Sequence, residues 1–151
     1  MISFQNKTPN ILVIGDLMID HYLWGTCERI SPEAPVQVIN VDSDSSLLGG
    51  AGNVINNLKA LGAKVDVISV IGQCKASKEL KGLLKDIKVD TKYLVSQKDR
   101  VTSKKSRIIA TNQQVIRFDH ESTDEISNKS QIAILEIFKA TINNYDVILL
   151  S

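Results

Sequence analysis

The stretch Ile11-Leu12-Val13-Ile14-Gly15-Asp16-Leu17-Met18-Ile19-Asp20 decides the fold. Four apolar residues run without a polar break and stop at Gly15-Asp16. A strand patterned this way is buried on both faces, as in a parallel sheet. Val65 to Ile71, closed by Gly72, reads as a second buried strand, and Val147-Ile148-Leu149-Leu150, followed by Ser151, is again a buried-strand pattern. Helical spacing lies between these runs. Val54, Leu58 and Leu61 follow Gly49-Gly50, and Gly62 is a suitable C-terminal stop. Leu80, Leu83, Leu84 and Ile87 mark a second helix. Ser127 or Asn128 caps a third, whose predicted apolar stripe is Ile132, Leu135, Phe138 and Ile142. Strands alternating with helices predict an α/β fold, with a central, mostly parallel sheet flanked by helices on both faces.

Two regions have another texture. Tyr22 to Ile30 and Val36 to Val41 are rich in aromatic and β-branched residues, and Ser31-Pro32-Glu33-Ala34-Pro35 separates them. Proline donates no ladder hydrogen bond, so pairing ends there in a rigid turn. These segments read as antiparallel strands outside the main sheet. Val101 to Ala110 and Gln114 to Phe118 read as a further hairpin, with Asn112-Gln113 as its turn.

Composition sets the outer limits. The 151 residues carry 18 Lys and Arg against 17 Asp and Glu, a net charge of +1. That balance disfavours a nucleic-acid partner but leaves room for a local basic patch. No apolar run approaches a membrane span, and the N-terminus reads as neither signal peptide nor anchor, so a cytoplasmic location is expected. Cys27 and Cys74 have no metal-ligand spacing and read as free thiols rather than a disulfide. The sequons Asn6-Lys7-Thr8 and Asn128-Lys129-Ser130 then read as chance matches. No His/Cys cluster predicts a zinc site.

Three constellations are candidates for chemistry. Asp16 and Asp20 follow a strand's carboxyl end, where α/β proteins bind ligands. Ionised carboxylates there can accept hydrogen bonds from sugar hydroxyls, or simply serve turns and caps. Gly49-Gly50-Ala51-Gly52-Asn53 lets backbone N–H groups approach a ligand, and Asn53 adds a donor and an acceptor. It is no P-loop, because Gly-Lys-Ser/Thr is missing, and no dinucleotide fingerprint, because Ile55 stands where the third Gly belongs. Lys105 and Arg107 share one strand face, which Arg117 can join across the hairpin. Three converging cations would suit a phosphate; the alternative is a solvated basic face.

The order of these motifs resembles the ribokinase-like, PfkB-type sugar kinases. The opening strand through Asp20 and the Gly-Gly-Ala-Gly-Asn run at 49–53 carry the family-wide likeness, although Asn53 arrives one residue sooner than in some members. Tyr22-Leu23-Trp24-Gly25, Glu28 to Val36, Thr102 to Arg107, Asn112-Gln113-Gln114 and Arg117-Phe118-Asp119 look like the D-glycero-β-D-manno-heptose 7-phosphate kinases. In many bacteria such a kinase is fused to a heptose 1-phosphate adenylyltransferase. The resemblance runs from about residue 10 to the last. It implies a Rossmann-like core with a small antiparallel lid at about 20–46. It also implies a cytoplasmic enzyme that phosphorylates the heptose 7-phosphate at O1 with ATP and Mg²⁺, toward ADP-heptose for lipopolysaccharide core. Asp16, Asp20, Gly49, Gly50 and Asn53 would hold the sugar. Lys105, Arg107 and Arg117 would hold the 7-phosphate, and the lid would pair two subunits.

The family's late Gly-Ala-Gly-Asp motif, which supplies the catalytic Asp, does not occur in the 151 residues. The resemblance implies that this base lies beyond Ser151, together with the ATP-binding half. No catalytic residue and no metal ligand is therefore assigned here. The expectation is that residues 1–151 are the N-terminal part of one kinase domain, able to bind the acceptor sugar phosphate without turnover. The alternatives are another PfkB-type kinase, for fructose or tagatose phosphate or ribose, and a non-catalytic sugar-phosphate-binding or self-association module.

Overall fold

A computed structural model describes residues 8–151; Asn6 and Lys7 of the first sequon fall outside the described residues. The chain folds into two four-stranded sheets. The first has the order β5-β4-β1-β8, from β1 (Asn10–Ile14), β4 (Lys64–Ile71), β5 (Leu94–Ser96) and β8 (Val147–Leu150), all paired in parallel. Its connections follow from handedness. From β1 the chain steps outward to β4 through α1 (Ala51–Ala60), then to β5 through α2 (Lys75–Asp86). It then returns past β1 to β8 through α3 (Asn128–Thr141). Right-handed crossovers in opposite directions put α1 and α2 on one face and α3 on the other.

The strand alternation agrees. Ile11, Val13, Val65, Val67 and Ile71 join Ile55 of α1 and Leu80 and Leu84 of α2 in one apolar core. Leu12 and Ile68, fully buried, point the other way. The expected stripe on α3 is corrected. Ile132 and Leu135 stand 57% and 52% exposed, whereas Ser130 and Thr141 are buried. Ser127 caps this helix, its Oγ accepting from the Ser130 N–H at 3.2 Å, and Ser130 Oγ donates to Gln97 at 2.9 Å. Half-buried Ile134 and Ile137 share this inward side with Ser130 and Thr141, so the helix is turned away from the expected stripe at Ile132 and Leu135.

The second sheet has the order β3-β2-β6-β7. Here β2 (Leu17–Ile30) and β3 (Gln37–Gly50) form a long antiparallel pair, joined by the two-proline turn. β6 (Lys104–Ala110) lies parallel to β2 and forms a hairpin with β7 (Gln113–His120). Two features differ from the sequence expectation. The β6 strand starts at Lys104, not Val101, because Thr102 is withdrawn into a buried bond with the Gly72 N–H at 2.9 Å. The hairpin turn is Thr111-Asn112, both at positive φ (51° and 63°), one residue earlier than expected. A two-residue turn with both centres left-handed matches strand twist, and Asn suits that region. Both cysteines are free.

This sheet is tied to the body through Glu79 of α2. Lys104 Nζ donates to its Oε2 at 2.8 Å and Ser46 Oγ to its Oε1 at 2.5 Å. Burial pushes the Glu79 carboxyl up, but these two hydrogen bonds outweigh it and hold the group below its usual value. A lowered acid contributes stability above its unfolded value and loses it as pH falls through the folded value. Glu79→Gln is therefore expected to lower stability by about 1 kcal/mol at pH 7, a charge-assisted bond discounted for partial exposure. Thermal melts from pH 7 down to pH 3 should show the difference closing in acid; a gap that stays constant would contradict this.

Candidate functional site

The chain leaves β1 at Gly15 and enters the second sheet at Leu17, so Asp16 marks the junction of the two sheets. Its carbonyl accepts from the Ala51 N–H at 3.0 Å, which joins the first turn of α1 to the carboxyl end of β1. Ser151 meets the same junction from β8. Its N–H donates to the Ile14 carbonyl at 3.0 Å, and its carbonyl accepts from the Asp16 N–H at 3.3 Å. A Cβ at Gly15 would collide with that Ser151 carbonyl. The carboxyl ends of β1 and β8 therefore close on each other beside Asp16, and Ser151 contributes backbone groups alone.

Gly50 sits at the N-cap of α1 with φ 56°, and a Cβ there would press on the Asp16 carbonyl and on Met18. A side chain at Gly49 would meet the Asp20 carboxylate instead. Gly50 thus lets the backbone of α1 pack against the Asp16 carbonyl, and Gly49 keeps the space beside the Asp20 carboxylate open.

Period two then sorts the strand residues. Asp20 pairs with Lys105, Tyr22 with Arg107, Arg107 with Arg117, and Lys105 with Asp119. Directly opposed residues share a face, so Asp20, Tyr22, Lys105, Arg107, Arg117 and Asp119 all lie on one side of the sheet. The expected meeting of Arg107 with Arg117 across the hairpin is seen. The cations do not stand free, however. Arg107 Nη1 donates to Asp20 Oδ1 at 2.6 Å, and the guanidinium carbon lies 5.3 Å from the Tyr22 ring centre. Arg117 holds Asp119 through its Nε at 2.9 Å and its Nη2 at 2.6 Å. That hydrogen bond from Arg117 keeps the Asp119 carboxyl below its usual value. Lys105 Nζ lies 3.9 Å from Glu121. Three cations thus face three carboxylates, and an incoming phosphate must compete with acids already in place.

A recess of about 490 Å³ opens between the carboxyl end of the parallel sheet and the second sheet. Asp16, Met18, Thr102, Ser103, Lys105 and Glu121 line part of it. Lys105 thus belongs to both the recess and the arginine-bearing face. Arg107 and Arg117 are not among the lining residues, and Asn53 lines a separate recess with Ser46, Leu48 and Asn56. Sequence reasoning missed Tyr22, Asp119 and Glu121 as members of the cluster. Period two would have placed Tyr22 beside Asp20, but the identity of its neighbours depends on the β2–β6 register. Among the described residues no three His, Cys, Asp or Glu side chains gather as a metal site. No helix among them is long and apolar enough to cross a membrane.

Residues 8–151 match the family described as pfkB family carbohydrate kinase. The chain belongs to that family. Among curated relatives it is 60% identical over 146 residues to the Bifunctional protein HldE of Aliarcobacter butzleri, covering 97% of this chain and 31% of that protein. It is 56% identical over 151 residues to the Bifunctional protein HldE of Sulfurimonas denitrificans, covering 100% and 32%. The chain spans about a third of the length of these pfkB relatives. Solved structures with the same fold include the microbiome-derived acarbose kinase Mak1, at TM-score 0.66 and 16% identity, covering 95% of this chain and 46% of that one. Arabidopsis thaliana ribokinase complexed with ribose and ATP matches at TM-score 0.61 and 15% identity, covering 95% and 45%. At such identities the likeness is one of fold. The pfkB assignment agrees with the ribokinase-like architecture of a parallel sheet between helices with a second, lid-like sheet beside it.

Proposed function

We propose that this chain is the acceptor-binding, N-terminal part of a kinase domain that phosphorylates D-glycero-β-D-manno-heptose 7-phosphate at O1. The observation that carries the reading is the cross-strand pair of Arg107 and Arg117 beside Asp20 on one sheet face. A sugar that already bears a phosphate needs cations at one end and hydroxyl acceptors at the other. Guanidinium groups supply the first through charge-assisted bonds, and carboxylates supply the second. Asp16 and Asp20 are read as hydroxyl acceptors, with Gly49 and Gly50 giving close approach and Asn53 adding an amide from the start of α1. Lys105, Arg107 and Arg117 are read as the phosphate ligands. Binding then exchanges the Arg107–Asp20 and Arg117–Asp119 bridges for bonds to the substrate, freeing Asp20 for the sugar.

The names of the relatives support the heptose reading, since proteins called Bifunctional protein HldE match across nearly the whole chain. ATP would donate the phosphoryl group with Mg²⁺ bridging its phosphates. The catalytic Asp of the Gly-Ala-Gly-Asp motif is assigned beyond Ser151, so the 151 residues bind without turning over. The enzyme is placed in the cytoplasm, and the product serves ADP-heptose synthesis. A homodimer through the lid is favoured by Trp24 and Val41 on the lid strands, with Ile116 and Phe118 on β7 of the same sheet, each at least 43% exposed.

A thermal-shift comparison tests the substrate. Heptose 7-phosphate should raise the melting temperature more than fructose 6-phosphate or ribose; equal responses would remove the heptose preference. In a coupled assay with Mg-ATP the 151-residue chain should show no turnover, and authentic turnover would overturn the assignment of the catalytic Asp beyond Ser151.

A further inference from the structure

At the opposite end of the parallel sheet, by the amino ends of β1 and β4, lies a recess of about 480 Å³. Lys59, Lys64, Lys88 and Lys92 line it, from the last turn of α1, the first residue of β4 and the α2–β5 connection. Asp66 and Asp90 are its acids. Both stand 3.7 Å from Lys92 Nζ, and Asp66 also accepts from the Tyr145 hydroxyl at 2.6 Å. Lys92 is therefore balanced, and it stacks over the Tyr93 ring at 4.8 Å. Among the described residues, Lys59, Lys64 and Lys88 have no carboxylate within ion-pair distance.

Lys88 carries the second, independent observation. It follows the C-cap of α2 with φ 58°, and its N–H donates to Lys85 at 2.9 Å. The equivalent place after α1 is Gly62, at φ 87°. A left-handed residue closing a helix is ordinarily Gly, because a Cβ is strained there. Here the strained position holds a lysine instead. The dipole at a helix end favours cations such as Lys59 and Lys88. It gives no account of Lys64 at a strand start, nor of three helix- and strand-borne ammonium groups round one hollow.

We propose that this recess binds a polyvalent phosphorylated anion, held by Lys59, Lys64 and Lys88 with Tyr93 as a wall. The site lies at the far end of the sheet from the acceptor cluster and stands independently of the proposed kinase activity. Lys59, Lys64 and Lys88 line one recess with no ion-pair partner among the described residues, and a multiply charged anion offers charge to all three at once. A single acid side chain could not do so. Phosphate oxygens accept from ammonium donors in any orientation, which suits lysines on three separate elements.

Calorimetric titration of the protein with inorganic pyrophosphate at low ionic strength tests the site. Parallel titrations with ATP and with a sugar phosphate tell a nucleotide source from a sugar source. The Lys59→Gln/Lys64→Gln variant is expected to bind pyrophosphate at least about tenfold more weakly, as losing charge-assisted bonds requires. The same comparison is made in an Arg107→Ala background, which weakens phosphate binding at the acceptor face, so that the pyrophosphate binding left there reports the recess. Lys88→Gly gives a crossed readout: it should melt at a higher temperature, as strain is relieved, and bind pyrophosphate more weakly. Unchanged affinity in the double variant, no binding by the unaltered protein, or a Lys88→Gly variant that binds as before would each overturn the proposal.

Discussion

Arg107→Ala in the active enzyme is expected to raise the KM for the sugar phosphate by about 10- to 100-fold, with little change in the KM for ATP. The magnitude follows from the loss of one charge-assisted hydrogen bond, at roughly 1.5–3 kcal/mol. Arg107 is placed for this by its own strand and by two neighbours. β6 puts it directly opposite Arg117, Asp20 grips one nitrogen at 2.6 Å, and the Tyr22 ring lies 5.3 Å below the guanidinium. The same contacts supply the competing explanation, that Arg107 merely orients Asp20. Arg107→Lys separates the two, because lysine keeps the charge but loses the planar fork and the stacking. If Arg107 binds phosphate as a fork, the lysine variant recovers only part of the KM. If it only neutralises Asp20, lysine restores both parameters. A defect confined to ATP would show that the acceptor site has been placed wrongly.

Legibility in the sequence follows the physics of each element. β1 announces itself because burial on both faces leaves an unbroken apolar run. β4 is legible despite Asp66 and Ser69, and β8 reads as a buried strand but is an edge strand with Val147 and Leu150 exposed. The three helices are legible from spacing and from Ser127 as a cap, although α3 turns a different side inward than its apolar residues predict. β5 is invisible because three residues, Leu94 to Ser96, are too few to show a period. The lid strands run farther than their aromatic and β-branched cores. Ser43 to Ser46 have no alternation, yet they continue β3 because β2 pairs each of them, while Asp42 falls at the bulge opposite Trp24 and Gly25. The cations of the candidate site are legible as Lys105, Arg107 and Arg117. Their partners are not. Asp20 and Arg107 stand 87 positions apart, and only the parallel β2–β6 register brings them together. A charge count sees acids and bases, but pairing is a property of register.

Gly72→Ala is expected to be strongly destabilising, and Gly82→Ala harmless. A Cβ at Gly72 would sit 2.8 Å from the Arg100 carbonyl carbon and 3.0 Å from the Thr102 nitrogen, both backbone atoms that cannot swing aside. Moving that loop also breaks a buried set of bonds. The Gly72 N–H donates to Thr102 Oγ1 at 2.9 Å, and Ser77 Oγ lies 2.8 Å from Thr102 Oγ1 while donating to the Gly72 carbonyl at 2.6 Å. Overpacking costs about 1–3 kcal/mol and an orphaned buried hydroxyl about as much again. A loss of about 3 kcal/mol corresponds to a fall of roughly 10 °C in melting temperature for a chain of this size. At Gly82, inside α2, nothing lies within 4 Å of a new Cβ, so Ala should add about 1 kcal/mol through helix propensity alone. The two variants make the same chemical change with opposite signs, which removes any general effect of adding a methyl group. Their functional consequences should part in the same way. Residues 100–103 line the acceptor-side recess, and Ser103 accepts from the Ile19 N–H at 2.9 Å, fixing where β6 begins against β2. Displacing that loop shifts the register that sets Arg107 beside Asp20. Gly72→Ala should therefore weaken sugar-phosphate binding at temperatures well below its melt, whereas Gly82→Ala should leave it intact. Equal melting temperatures for the two variants would refute the close-packing argument, and unaltered binding in a destabilised Gly72→Ala would refute its link to the site.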